Sequence, residues 1–556
     1  MLARSALYWR TARHLKPRQF AYQVLHRLRR HRLAPLPAAA PAVRAVTGPV
    51  QFVAAKPAAS IDPWSFRFLN VARSFQGGFV DWTCADMPRL WRYNLHYFDY
   101  LSDPDRATQK AQLIDDWIRR NPPGTVDAWE PYTASLRIAN WVKYFMSLSA
   151  PQTPSAEGLA SLWSQCAWLR DNIEYHLLAN HLFKNAKALL FAGAFFEDRA
   201  AGEWLRKGAR ILAEQLEEQF LADGGHFERS PMYHAIMVED LLDLIALDRA
   251  IPRVMPAALL AALTDTAARA LEFLQDLTLA DGEIALFNDA AYSVAAPTRR
   301  LLEYAAHLPA IRPISPRTEG GLIERAVSGY YGWSGARDGW LIDCGPVGPD
   351  YQPGHAHCDT LSYELVLDGR RIVVDTGVHD YEPGERRHRS RGTASHNTVM
   401  VDGAEQSEIW GVFRVGYRAR AIEAQVTNIA GVVTFVGAHD GYRRRPGGVT
   451  HRRRAEYRPD RSLCVSDELT GAGRHIMENC VHFAPGLRVS GHGRSLEVRD
   501  PSGGLAARLD IAEGPAVHVD AAEQYPEFGR TERIDVVRLR SEGGLPLRQH
   551  YAITRS

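Results

Sequence analysis

The densest group of side chains able to do chemistry begins at Gly354, in GHAHCDTLSYE, and continues through VVDTGVHDYEPGERRHRSRGTASHNTVMVDG. The run LSYELVLDGRRIVVDTG alternates Leu361, Tyr363, Leu365 and Leu367, turns at Asp368-Gly369 and resumes at Ile372 and Val374, the pattern of a two-residue hairpin. A tight turn there sets Asp375 opposite Ser362, one strand end away from His357, and His396 begins the next strand. Two imidazoles and a carboxylate converging at strand ends suit a zinc-like ion held by His357, Asp375 and His396. His355, two positions before His357, shares its face of an extended segment and can face a cleft beside the metal.

A second cluster lies upstream. In NHLFKNAKALLFAGAFF, Asn180 and His181 precede an apolar helical run, so both sit at a helix mouth where anions are favoured; a helix cap is the plainer alternative. In DGGHFERSPMYHAIMVED a turn leads to Glu228, Arg229, Tyr233 and His234, with Ser230-Pro231 as N-cap and first helical residue. Taken alone, Tyr233 reads as a half-buried core tyrosine.

The elements that must position these clusters differ in period. From about residue 105 to 310 apolar residues recur at helical spacing, as in Leu113 with Trp117, Ile114 with Ile118, and Leu212, Leu216 and Phe220. Similar stripes occupy 135–149, 180–196, 231–250 and 256–277. After about 320 the period falls to two, and HNTVMVDGAEQ repeats the hairpin device at Asp402-Gly403. A multidomain α+β chain is predicted: a basic leader and Ala/Pro-rich linker or strap over 1–61, a helical domain over 62–315 and a β domain over 316–556.

The order and spacing of LWRYNLHYFDYL at 90–101, WEPYTASLRIANW at 129–141, the NHLFKNAKALL run, DGGHFERSPMYH and GHAHCD…VVDTG…SHNTVMVDG resemble the heparinase II/III family of polysaccharide lyases. The resemblance implies an N-terminal incomplete α/α toroid followed by a C-terminal antiparallel β-sandwich, with the active site in the cleft between them. It matches Asn180 or His181, Tyr233 and His355 to the family's catalytic positions, and His357, Asp375 and His396 to its zinc site. The implied reaction removes the C5 proton of a uronic acid and expels the glycosidic oxygen. Asn180, His181 or a nearby arginine would neutralise the uronate as charge develops, His355 or Tyr233 would take the proton, and Tyr233 would protonate the leaving oxygen. The zinc would be structural.

One departure stands out: no tyrosine occurs from Arg386 to Asn397, where a lyase can place a further acid or base, so His388 or Tyr381 must substitute if one is needed. Arg391 is a candidate for a substrate carboxylate. Trp129, Tyr132, Arg137, Asn140, Glu228 and Trp410 are candidates for lining sugar subsites. Arg443–Arg445 and Arg452–Arg454 read as a hairpin with a basic face able to attract a polyanion.

Across 556 residues the formal net charge is +2, which conceals a split. Residues 1–61 hold 11 Lys+Arg and no acid, leaving 55 basic against 64 acidic residues in the body. A body of that sign argues against a nucleic-acid partner and does not itself attract a polyanion, so an acidic glycan would have to be bound by local arginines and the cleft rather than by net charge. The leader lacks the apolar core of a secretory signal and reads as a separate amphipathic appendage, with Leu25, Leu28 and Leu33 among arginines, suited to an anionic membrane surface. A cytoplasmic or membrane-surface location is expected, with the cell envelope as the alternative, since no apolar run reaches the roughly 18 residues of a membrane span. The six cysteines form no CxxC pair. Two other functions compete with the lyase: a silent glycan-binding or exopolysaccharide-assembly protein, and a metal-dependent hydrolase using His355, His357 and Asp359 as an HxHxD motif.

Overall fold

The computed structural model describes residues 2–28, 37, 40–52, 64–76, 79–103, 107–149, 152–315, 320–459 and 461–555. The helical half is built on the apolar stripes seen in the sequence: helices Pro131–Ser147, Ala156–Asp171, Ala179–Phe195, Arg199–Gln219, Pro231–Ala250 and Ala257–Asp276 follow one another through short connections, so neighbours run antiparallel. Ala179–Phe195 is buried along nearly its whole length, as its all-round apolar composition requires. Its close approach to Arg199–Gln219 depends on Gly193, where a Cβ would lie 2.7 Å from the Ala201 carbonyl oxygen. Ser230 caps Pro231–Ala250 by accepting from the Tyr233 N–H at 3.2 Å, with Pro231 in the first turn, as predicted.

The β half is antiparallel throughout its described ladders. Strands between Gly321 and Val373 form a five-stranded meander in sequence order; an eight-stranded sheet runs from Ala421–Ile429 at one edge to Arg488–His492 at the other; a four-stranded sheet includes Val399–Val401. Burial alternates along Thr450–Arg458 and Ser462–Thr470, so one face of each is apolar. Tyr331, Trp340, Leu365, Phe435, Val465, Val481, Leu539 and Tyr551, drawn from all three sheets, share one core. The halves are joined by a smaller apolar cluster of Phe273, Leu277 and Phe287 against Ile323, Tyr330, Leu341 and Val366.

Three expectations are corrected here. The Asp368-Gly369 hairpin forms with both turn residues at positive φ, but the register slips by one between Leu365 and Val366, so Asp375 does not pair as a uniform ladder would have it. Asp402-Gly403 makes the same turn, yet Val399–Val401 pairs with Arg474–His482, and only an isolated bridge from Val401 to Ala404 follows the turn. Arg452–Arg454 does not present a basic face. Arg453 is fully buried against Asp467, Arg452 and Arg454 pair with Glu423 and Glu456, and Arg443–Arg445 lie in the connection before Thr450–Arg458.

The leader is not a separate appendage. Its helices, Leu2–Ala12 and Pro17–Leu28, lie across both halves. On the β side Arg10 binds Glu408 at 2.7 and 2.5 Å, and Tyr8 packs edge-on against Trp410. On the helical side Lys16 pairs with Glu218 and the Arg18 guanidinium sits 3.9 Å from the Tyr175 ring centroid. The predicted strap also forms in part: Arg44 donates to the carbonyls of Ala194 and Phe196, and Gly48 N–H donates to Ala250. Leu33 lies outside the described residues.

Candidate active site and metal centre

The two sequence clusters meet where the halves face each other, and Asp289, from the connection between helices Ala257–Asp276 and Thr298–Ala306, organises the junction. Its carboxylate accepts from His355 Nδ1 and His357 Nε2, each at 2.8 Å, and from both terminal nitrogens of Arg387. Burial alone would raise its pKa, but Arg387 and the two imidazoles hold it well below the usual carboxylate range. An ionised Asp289 fixes one proton on each ring. His357 then carries its hydrogen on Nε2 and presents a bare Nδ1, while His355 is left with Nε2, which lies 3.4 Å from Glu228.

Around His355 the side chains are aromatic. The Tyr233 ring stacks on the imidazole at 3.9 Å between centroids, and the Tyr233 hydroxyl lies 3.3 Å from that of Tyr381. Of the two residues considered in place of the missing tyrosine, Tyr381 reaches this centre, its ring 6.0 Å from that of His355. Burial, reinforced at Tyr233 by Tyr381 and at Tyr381 by Asp289, raises both phenols well above 10, so both hold their protons at neutral pH. Arg387 lies 4.9 Å from the Tyr381 ring centroid, and Phe413 borders His355 and Tyr381.

Asn180 and His181 do different things. Asn180 is buried and spends its amide and backbone N–H on Glu228, so Glu228 is a positioning group between Asn180 and His355 rather than an open subsite residue. His181 keeps 30% of its side chain exposed, rests on Tyr132 at 4.4 Å and donates through Nδ1 to Glu174 at 3.0 Å. Burial lowers its pKa, but Glu174 and Glu228 outweigh it and leave the ring above its ordinary value. Leu178 and Ala179, which lead into this helix, both have positive φ, as do Arg229 before the Ser230 cap and Asn288 before Asp289. Non-glycine residues held in that region cost about 1 kcal/mol or more each, and their concentration here fits a site fixed at some expense of backbone strain.

The metal candidates form a second layer behind Asp289. One ligand atom each from His357, Asp359 and His396 lies within 4.8 Å of the others, and all three residues are buried. Two buried nitrogens, His357 Nδ1 and His396 Nε2, lack a hydrogen-bond partner, which is what a pair of imidazoles awaiting a cation should show. Burial lowers His357 to about 4, so it is neutral and able to ligate. Asp375 stands differently from expectation: it accepts from His396 Nδ1 at 2.8 Å, the outer position that orients a ligating imidazole, while Asp359 brings the carboxylate to the ligand group. His355 is outside that group.

Several proposed subsite residues are interior. Trp129 donates to the Asn121 carbonyl and packs on Trp117 and Trp168. Arg137 is fully buried on Gln165 and the Trp117 face, its pKa lowered by burial to about 9. Asn140 bonds Tyr97 and Asp99 within the helical half. Arg391 is buried and donates to the carbonyls of Ala356, Gly411, Val412 and Arg414, leaving no free fork for a substrate carboxylate. Trp410 is occupied by the leader through Tyr8 and a hydrogen bond to Thr11. Tyr132 remains beside His181. Sequence reasoning missed Asp289 and Arg387; the adjacent Asn288-Asp289 pair in an aperiodic loop was the available signal for the first.

Comparison with known proteins agrees with this geometry. Residues 70–312 match the family model for the heparinase II/III N-terminus, and residues 319–549 that for the heparinase II/III-like C-terminal domain. FtsZ-localized protein C of Caulobacter vibrioides is 28% identical over 480 residues, 78% of each chain. The heparin-sulfate lyase of Bacteroides stercoris is 24% identical over 383 residues, covering 58% of this chain and 55% of that one, so the match spans about half of the lyase. A crystal structure of heparinase III superposes with a TM-score of 0.68 at 18% identity, over 86% of this chain and 79% of the other. Heparan sulfate lyase HepC from Pedobacter heparinus gives 0.58 at 17% identity, over 96% and 87%. The paired domains, their order and the junction between them make this chain a member of the heparinase II/III-like family of polysaccharide lyases.

Proposed function

We propose that the chain cleaves a uronate-containing acidic polysaccharide by β-elimination. The observation that carries this reading is the Tyr233 hydroxyl beside Tyr381, with the Tyr233 ring stacked on His355 at the junction of the halves. A base removes the C5 proton, the electron pair forms the C4–C5 double bond, and the C4–O bond breaks as the leaving oxygen gains a proton. His355 suits the base role, because Asp289 holds the proton on Nδ1 and leaves Nε2 as acceptor. Tyr233, kept protonated by burial, suits the acid, with Tyr381 as the partner that can reprotonate it. Since Asn180 is committed to Glu228, His181 is the better group to meet the uronate carboxylate.

Zinc fits the buried nitrogens of His357 and His396 with Asp359, and when bound it would supply a structural crosslink between loops. Asp289 then serves both centres, orienting His355 for proton transfer and His357 for ligation. Incubation with a panel of uronate-containing polymers is expected to produce the ultraviolet absorbance of an unsaturated uronate. New reducing ends without that absorbance would mean hydrolysis and sink the proposal.

Binding without turnover is the second reading. It is favoured by the similarity to FtsZ-localized protein C over 78% of both chains, and is the outcome if polymers bind but no unsaturated product forms. A membrane-surface contact through the leader has its own support: with one face docked, the leader still leaves Trp9 69% and Val24 57% exposed among its arginines. Among the described residues no helix is long and apolar enough to cross a membrane.

A further inference from the structure

Where the first leader helix ends against the β half, a cavity of about 560 Å³ opens, lined on the leader side by Arg13 and His14 and on the body side by Val347, Asp350, Tyr417, Arg418 and Arg420. Three guanidiniums converge on it. Arg418 is 8% exposed and binds Asp350, whose own side chain is 80% exposed. Its Nε is buried without a partner. Among the described residues Arg13 bonds through its side chain to the neighbouring His14, at 3.3 Å, and the Arg420 side chain has no ion pair; the Asp440 carboxylate accepts from the Arg420 main-chain N–H and its carbonyl from the Tyr417 hydroxyl. Burial and the positive charge of Arg418, Arg13 and Arg420 outweigh Asp350 and lower the pKa of His14. Pro346, Val347, Ala419, Ala421 and Tyr417 give the cavity an apolar and aromatic wall, and Asp440 also lines it. Cationic groups on one side, a hydrophobic wall on the other and a volume within the range of small-ligand sites suit a sugar ring that carries an oxyanion.

We infer that this cavity binds an anionic sugar unit, a uronate or sulfated residue, at a place separate from the His355 centre. The sugar class rests on the acidic-glycan reading; the need for an anion rests on the arginines. Because Arg13 and His14 belong to the leader, a ligand here also ties the leader to the body. The test uses the full chain titrated with glucuronate, with inorganic sulfate and phosphatidylglycerol vesicles as comparison arms, read by the NMR titration of His14 and by the rate of tryptic cleavage of the leader. Glucuronate is expected to raise the His14 pKa saturably and slow cleavage, and Arg420→Ala to weaken it about tenfold. An unmoved His14, wild-type affinity in Arg420→Ala, sulfate binding as tightly as glucuronate, or protection by vesicles alone would each overturn the inference. The Tyr233→Phe variant should bind glucuronate here unchanged. In the native chain, absence of unsaturated product with the His14 response intact counts against the lyase reading alone, and absence of the His14 response with product formed counts against this site alone.

Discussion

Asp289 meets four donors and so, on the proposed reading, would tie proton transfer at His355 to metal ligation at His357 through one side chain. Asp289→Asn keeps the shape but can no longer accept from two imidazoles and an arginine together. It is expected to lower both turnover and metal retention by about ten- to hundredfold, measured by product absorbance and by metal analysis of the purified protein. Tyr233→Phe should cut turnover by about a hundredfold or more with the thermal midpoint unchanged, because only a proton donor is lost. Full activity in that variant would remove Tyr233 from the acid role. Arg391→Ala has the opposite profile: it strips a donor from several buried carbonyls, so a stability loss of about 2–4 kcal/mol in denaturant is expected. His355, His357 and His396 were legible in the sequence because they flank a strongly periodic hairpin, whereas Tyr233 was singled out only by the family resemblance. Asp289 was not, since its loop has no period and its partners arrive only through tertiary packing. Arg137, Arg391 and Arg453 mislead for a related reason: sequence reports a charge, while the carbonyls and carboxylates that bury it come from distant segments.

At the scale of elements, helices Pro131–Ser147, Ala179–Phe195 and Pro231–Ala250 are held together by buried charge. Lys187 bridges Asp240 and Asp243, Lys143 also reaches Asp243, and Lys184 binds Asp240. Burial would raise Asp243, but Lys143 and Lys187 carry it from 3.8 to about 2. A carboxyl depressed on folding contributes stability above its unfolded pKa and loses it as pH falls toward 2, here about 2 kcal/mol. Urea midpoints between pH 5 and 2.5 should therefore fall more steeply in the native chain than in Asp243→Asn, roughly in that window. The helical stripes announced these helices, and the Asp368-Gly369 turn announced its hairpin, but the one-residue slip beyond it was hidden: a bulge leaves the alternation of apolar residues nearly intact while shifting the ladder, and Asp375 still accepts from the Ser362 hydroxyl at 3.4 Å.

For the whole molecule, the metal group sits where Asp359 and His396, from loops on either side of the five-stranded meander's last hairpin, come together beneath Asp289 of the helical half. Chelation is expected to lower the melting temperature by several degrees, with His357→Ala giving the same value and no further response to chelator. The leader is the second device that touches both halves. Glu408→Ala should release its first helix, seen as faster tryptic cleavage at Arg10 and Arg13 with little change in the body's melting temperature. The Arg10 to Glu408 contact spans 398 positions of sequence. During synthesis the leader therefore leaves the ribosome long before its landing place on Glu408 and Trp410 exists. For that interval it is a free basic peptide with Tyr8 and Trp9 uncovered, open to any chaperone or anionic surface that meets the nascent chain before the body can claim it.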